Sequence, residues 1–146
     1  SGFSATDPMC YRYCHSDTDC PGGPGSLCIY ELDDGQGGSV PDIMLCSMDC
    51  EPATNSGCPA SLACEIYIRD TDDALLTECG RPVGTSLVGC DGQTTFCPAG
   101  YTCDTAYNEC LQWCRVGYSD CNAGYTCYPF TDPAYIGNTE YGLCDY

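Results

Sequence analysis

Seventeen cysteines in a chain of 146 residues constrain this protein more than any other feature of its sequence. At about 12% of the residues, the density is that of a disulfide scaffold folded in an oxidising compartment, since cytosolic thiols are kept reduced. The cross-links are also needed. Leu, Ile, Val and Phe together supply only 21 residues, against a net charge of −17. Such a composition buries too little apolar surface to offset chain entropy by packing alone. A bridge closing a ~15-residue loop contributes about 3 kcal/mol by restricting the unfolded chain, so covalent staples with small cores between them are expected.

The spacing contains a repeat. With Cys10 set aside, the other sixteen fall into four quartets: Cys14, Cys20, Cys28 and Cys46; Cys50, Cys58, Cys64 and Cys79; Cys90, Cys97, Cys103 and Cys110; Cys114, Cys121, Cys127 and Cys144. The first gap holds 5, 7, 6 and 6 residues, the second 7, 5, 5 and 5, and the third 17, 14, 6 and 16. Pro-Ala-Ser-Leu-Ala precedes Cys64, Pro-Ala-Gly-Tyr-Thr precedes Cys103, and Asn-Ala-Gly-Tyr-Thr precedes Cys127. A turn with one large residue two places before the cysteine is the mark of a duplicated supersecondary unit.

The third gap reads as a β-hairpin in three units, with β-rich flanks around an acidic or glycine-rich turn. In unit one the turn runs through Asp33 and Asp34, in unit two through Asp70, Asp72 and Asp73, and in unit four through Asp132-Pro133. Pro129 restricts its strand in unit four to a sheet edge. Unit three leaves six residues, room for a turn and little else. No segment has the periodicity of a useful helix. The expected fold is therefore small and disulfide-rich, mostly β-hairpins and loops in four tandem repeats. An arm at 1–13 precedes units one and two at 14–79, a Gly/Pro linker at 80–89, and units three and four at 90–146.

Four Arg and no Lys face 21 acidic residues. This excludes a binder of nucleic-acid phosphates and disfavours anionic membrane surfaces. No run approaches the ~18 apolar residues of a membrane span. The opening residues have neither a basic segment nor an apolar run, the expectation for a mature secreted chain.

Ser-Asp-Thr-Asp-Cys20-Pro, together with Ser-Asp-Cys121-Asn-Ala-Gly-Tyr-Thr-Cys127, resembles tandem cysteine-rich repeats of secreted bacterial proteins, and loosely EGF-like and colipase-like modules. The quartets lack the closely spaced later pair of EGF-like domains, so no calcium or receptor role carries over. Four cysteines allow three connectivities. First-to-third with second-to-fourth is the expectation adopted here.

The seventeenth cysteine, Cys10 in this register, is an intermolecular or free thiol. A head-to-tail covalent polymer would use two cysteines per subunit and leave an odd fifteen, whereas a Cys10–Cys10 dimer leaves sixteen. A buried inert Cys10, or a register leaving out Cys79 or Cys144, are the alternatives. Cys10-Tyr-Arg-Tyr-Cys14-His15 has one residue too many for a c-type haem site. His15 is the sole histidine and sits in a polar turn, and no carboxylate pair stands out, so no catalytic residues and no cofactor are expected. Calcium is the one cation the sequence suggests, at Asp33 and Asp34 or at Asp70, Asp72 and Asp73, though neither turn fits an EF-hand loop.

Twelve tyrosines complete the picture. Tyr101 and Tyr125 recur with the units and read as local core. Tyr11, Tyr13, Tyr118, Tyr135, Tyr141 and Tyr146 have no repeat counterpart and read as candidates for subunit or partner contacts, because tyrosine has an apolar body and a wet tip. Two functions fit. The first is an extracellular structural or adhesive protein that self-associates into a filament or surface layer. The alternative is a secreted monomeric binding module, an inhibitor, toxin or effector, presenting a hairpin such as the long one between Cys28 and Cys46 to another extracellular protein.

Overall fold

In a computed structural model describing residues 10–146, every quartet joins its first cysteine to its third and its second to its fourth. Residues 1–9, most of the expected N-terminal arm, lie outside the described residues. The strands are β1 (Tyr13–Cys14), β2 (Cys28–Asp33), β3 (Ser39–Cys46), β4 (Leu62–Ile68), β5 (Leu75–Pro82), β6 (Tyr101–Asp104), β7 (Glu109–Arg115), β8 (Thr126–Ile136) and β9 (Thr139–Asp145). One short 3₁₀ turn spans Asp17–Asp19. All sheets are antiparallel, with orders β1-β3-β2, β4-β5 and β6-β7-β9-β8.

The repeat has a simple physical logic. In each unit the third and fourth cysteines lie directly opposite each other across the hairpin: Cys28 with Cys46, Cys64 with Cys79, Cys103 with Cys110, and Cys127 with Cys144. Opposed residues point to the same face. Instead of bonding to each other, they reach back to the first and second cysteines, so two bonds hold the hairpin base against the preceding loop. The first-to-third bridge of each unit spans 14, 14, 13 and 13 residues, while the distal hairpin varies freely. Cystine sulfurs make up most of the buried apolar material, joined by Ala63, Leu76, Trp113, Ile136 and Tyr141.

Unit three departs from expectation by forming a hairpin after all. Its strands extend beyond the cysteine gap, β6 starting at Tyr101 and β7 running on to Arg115, so a four-residue turn suffices. β7 carries both Cys110 and Cys114. Units three and four therefore share a strand and merge into one four-stranded sheet.

Residues 80–89, expected to be a linker, are instead tied down on both sides. Gly80, Arg81 and Pro82 belong to β5. Arg81 pairs with Glu65 of unit two and donates to the carbonyl oxygens of Cys97 and Tyr101 in unit three. Gly84 donates its N–H to the Cys97 carbonyl at 2.9 Å, an approach so close that a Cβ there would overlap the Phe96 carbonyl. Leu87 and Gly89 bond to Cys110 and Asn108. Unit four also folds back: Tyr141 is 4% exposed and donates to Glu51 at 2.7 Å, and the turn at Gly137 abuts Pro24.

Candidate protein-binding surface

The largest irregularity in the sheets lies in β8. Pro129 pairs with Gly142 and Ala134 with the adjacent Tyr141, so Phe130, Thr131, Asp132 and Pro133 leave the ladder as a four-residue bulge. The hairpin turn expected at Asp132-Pro133 falls instead at Gly137-Asn138, between the paired Ile136 and Thr139, where Gly137 has φ +60°. Glycine and asparagine reach such angles at little cost, whereas proline cannot. Gly142 is required beneath the bulge because a Cβ would collide with the Tyr128 carbonyl.

The bulge and its flanks expose aromatic surface on a rigid support. Trp113, Leu143 and Tyr128 form one cross-strand row, which puts them on one sheet face. Trp113 is buried and meets Phe130 edge-on at 6.2 Å. Tyr128 and Tyr135 are half exposed, and the Tyr125 and Tyr146 rings sit 4.1 Å apart beside the strand end. β8 is an edge strand, as Pro129 implied. Carboxylates rim the surface: Asp132 in the bulge, Glu140 accepting from the Tyr135 hydroxyl at 3.1 Å, and Asp145. Exposed aromatics are the compositional mark of protein interfaces.

The other expected contact residues divide. Tyr13 and Tyr118 are well exposed, Tyr118 with the Arg115 guanidinium 4.3 Å from its ring centre. Tyr141 is internal, contrary to expectation, because unit four folds back onto Glu51. Tyr11 packs edge-on against Tyr30 and donates to Glu78. Tyr125, expected in a local core, is on the surface with Tyr146. The long hairpin of unit one ends in a polar tip, and Asp42 beside it has φ +60°. A shallow cleft of about 500 Å³ lies there between His15, Glu31 and the segment from Ser39 to Met44.

The turn carboxylates have local uses. Asp33 accepts from Gly35, and Asp34 from Gln36 and Gly38. Asp72 grips Arg69, which also binds Asp17, and this holds its carboxyl down at about 2. Asp70 and Asp73 do not join it in a cluster. Among the described residues, the groups of three His, Cys, Asp or Glu ligand atoms within 4.8 Å are all cysteine sulfurs, and each is in a disulfide. Cys14 is bonded to Cys28 and so is not free to hold a haem. Cys10 is exposed and unpaired.

Two buried carboxylates, unremarked in the sequence, fasten units together. Glu78 accepts from Tyr30 at 2.8 Å, from Tyr11, and from the backbone of Met48 and Cys79. Burial raises its pKa, and those donors offset part of the rise. Glu65 behaves likewise: burial pushes it up, and Arg81 and Thr102 pull it back. Burial beside Glu78 also raises the Tyr11 and Tyr30 hydroxyls, so both stay protonated donors. No short-range motif signals either partner, since the side-chain contacts span 16 to 67 residues of chain.

No family model and no solved structure matches the chain. A stretch of 38 residues is 42% identical to U1-theraphotoxin-Cg1a 1 of Chilobrachys guangxiensis, covering 26% of this chain and 58% of the toxin. A stretch of 32 residues is 44% identical to U1-theraphotoxin-Cg1a 2 of the same species, covering 22% and 48%. The chain thus spans about half the length of the curated relatives it matches. The resemblance to bacterial repeats and to EGF-like or colipase-like modules receives no support from these matches. Eight disulfides and similarity to toxins mark a secreted protein, and among the described residues no helix is long and apolar enough to cross a membrane. The matched stretches, 38 and 32 residues, are about as long as one quartet unit.

Proposed function

We propose that this protein is a secreted, toxin-like binding module that docks on a basic surface of another extracellular protein through the aromatic edge of unit four. The observation that carries the reading is the β8 bulge, which presents Phe130 between Tyr128 and Tyr135 from a disulfide-anchored sheet. A scaffold ordered before binding loses little conformational freedom on docking. Tyrosine and phenylalanine supply contact area, and the surrounding carboxylates in a chain of net charge −17 favour a cationic partner and speed its encounter.

Self-association, the reading that repeat regularity favours, finds less support. Pro129 and Pro133 each remove an N–H donor from β8, and the bulge interrupts its edge, two devices that hinder edge-to-edge pairing. Tyr141, one of the expected contact residues, is consumed internally.

The test is a display screen of extracellular domains with the native chain, followed by Tyr128→Ser/Tyr135→Ser and, as a control, Tyr107→Ser at the tip of unit three. Partners lost with the first variant and kept with the second support the assignment. Light scattering of Cys10→Ser from micromolar to millimolar concentration decides the rival reading, since growth of large particles would replace the module with an assembly subunit.

A further inference from the structure

We propose that the Arg12–Tyr13 bond is a processing site for a trypsin-like endopeptidase, and that its cut separates the thiol-bearing Cys10 segment from a body whose sixteen cysteines are all paired. Such enzymes cleave after Lys or Arg, and this chain has no Lys and four Arg, at positions 12, 69, 81 and 115. Three of the four are locked. Arg69 is held by Asp17 at 2.7 Å and Asp72 at 2.6 Å, with 15% of its side chain exposed. Arg81 is paired with Glu65 with 12% exposed, and Arg115 is bound to Asp120 at 2.8 Å with its guanidinium against Tyr118. None of these side chains can enter a protease specificity pocket without breaking its ion pairs.

The bonds themselves point the same way. Arg69–Asp70 and Arg115–Val116 lie inside disulfide loops, so a cut there releases nothing. Arg81–Pro82 lies outside every loop, but it is in β5 and is followed by proline, which has no N–H and fits poorly beyond a scissile bond. Arg12 is exposed and carries no ion pair among the described residues. It enters β1, a two-residue edge strand already extended, the form in which proteases take up their substrates. The bond from the Cys46 N–H to the Arg12 carbonyl must open first, together with the pairing of Tyr13 and Cys14 to Leu45 and Met44 of β3.

Hydrolysis adds water across the amide. The hydroxyl goes to the Arg12 carbonyl carbon, giving a carboxylate, and the hydrogen goes to the Tyr13 nitrogen, giving a new ammonium terminus. No electrons are exchanged and no disulfide changes. Because Cys10 is unpaired, no disulfide among the described residues ties its segment to the body after the cut, and Tyr11 keeps only noncovalent contacts such as those with Tyr30 and Glu78. That distinguishes a substrate from a protease inhibitor, in which both sides of the contact bond stay tethered.

The test is limited trypsin treatment of the full, unreduced chain, followed by intact-mass spectrometry and thiol titration of the separated products. A single cut is expected, yielding peptide 1–12 with the one titratable thiol and body 13–146 with none, while Arg12→Gln stays intact. First cleavage at Arg69 or Arg115, survival of the native chain equal to that of Arg12→Gln, or stoichiometric loss of trypsin activity with the bond intact would each overturn the proposal. The reduced and alkylated chain must be cut at Arg12, Arg69 and Arg115 alike. Selective cleavage there too would mean that local sequence, not the fold, chooses the bond, and the structural argument would fail.

Discussion

Replacing Arg81 with methionine tests whether units two and three are held by a buried charge. Arg81 and Glu65 expose 12% and 10% of their side chains, so neither is well screened by water. Removing one member of a buried pair typically costs 3–5 kcal/mol, because the survivor remains buried and uncompensated. For a domain of this size 1 kcal/mol corresponds to about 2–4 °C, so Tm falls by roughly 6–20 °C at pH 7. The pH dependence supplies the signature. Burial already raises the Glu65 pKa above its ordinary 4.5, and loss of Arg81 raises it further. Between the unfolded and folded values the native state then binds the extra proton, so stability rises as pH falls through that window. The deficit of Arg81→Met is therefore largest at neutral pH and shrinks toward pH 4.5, and Glu65→Gln/Arg81→Met recovers much of it at pH 7. Differential scanning calorimetry without reductant reads all three effects. A loss below about 1 kcal/mol, or one independent of pH and of Glu65, would refute the reasoning by placing the pair among exposed ion pairs of that size.

Three further outcomes are expected. Under mild oxidation the native chain gives monomer and dimer bands on a nonreducing gel and Cys10→Ser gives monomer alone; a ladder would mean that a second cysteine is exchanging. Tyr141→Phe removes the hydroxyl donated to Glu51 and lowers stability by about 1–2 kcal/mol in denaturant titration, whereas no change would show that unit four does not lean on unit two. Gly84→Ala, which forces a methyl group against the Phe96 carbonyl, costs at least about 1–3 kcal/mol by the same titration, and a neutral result would show that the strand junction relaxes freely.

The fold was legible where the information is periodic. Cysteine spacing locates the four units because the staple fixes where a hairpin base must lie, and Pro129 marks an edge because it has no N–H to donate. Legibility failed where contacts are remote. The Gly/Pro composition of 80–89 suggests a free linker, yet Gly84 and Arg81 are there for close approach and for a charge on another unit. Tyr125 repeats with Tyr101, but in unit four its ring lies against that of Tyr146, the residue after β9, and both are at the surface. Tyr141 shows the opposite error, since a residue without a repeat counterpart serves the fold-back of the last unit. The four-residue bulge in β8 was hidden because Asp132-Pro133 is turn chemistry, and only cross-strand register separates a bulge from a hairpin end.

That register also makes the bulge separable from the fold. Units three and four have first-to-third bridges of the same span, 13 residues, although their third gaps hold 6 and 16, so the distal hairpin is outside the staple's control. Pro129 and Ala134 face adjacent residues of β9, and deleting residues 130–133 would leave a continuous ladder. The main loss is the edge-on contact of Phe130 with Trp113, worth about 0.5–1.5 kcal/mol beyond its share of buried area. Shortening the excursion returns only tenths of a kcal/mol in loop entropy. The deletion chain should therefore fold with Cys114–Cys127 and Cys121–Cys144 intact, be less stable by about 2 kcal/mol, and lose partner binding. Peptide mapping and thermal melts check the first two points and the display screen the third. Scrambled pairing would show that the bulge guides folding, and retained binding would move recognition away from unit four.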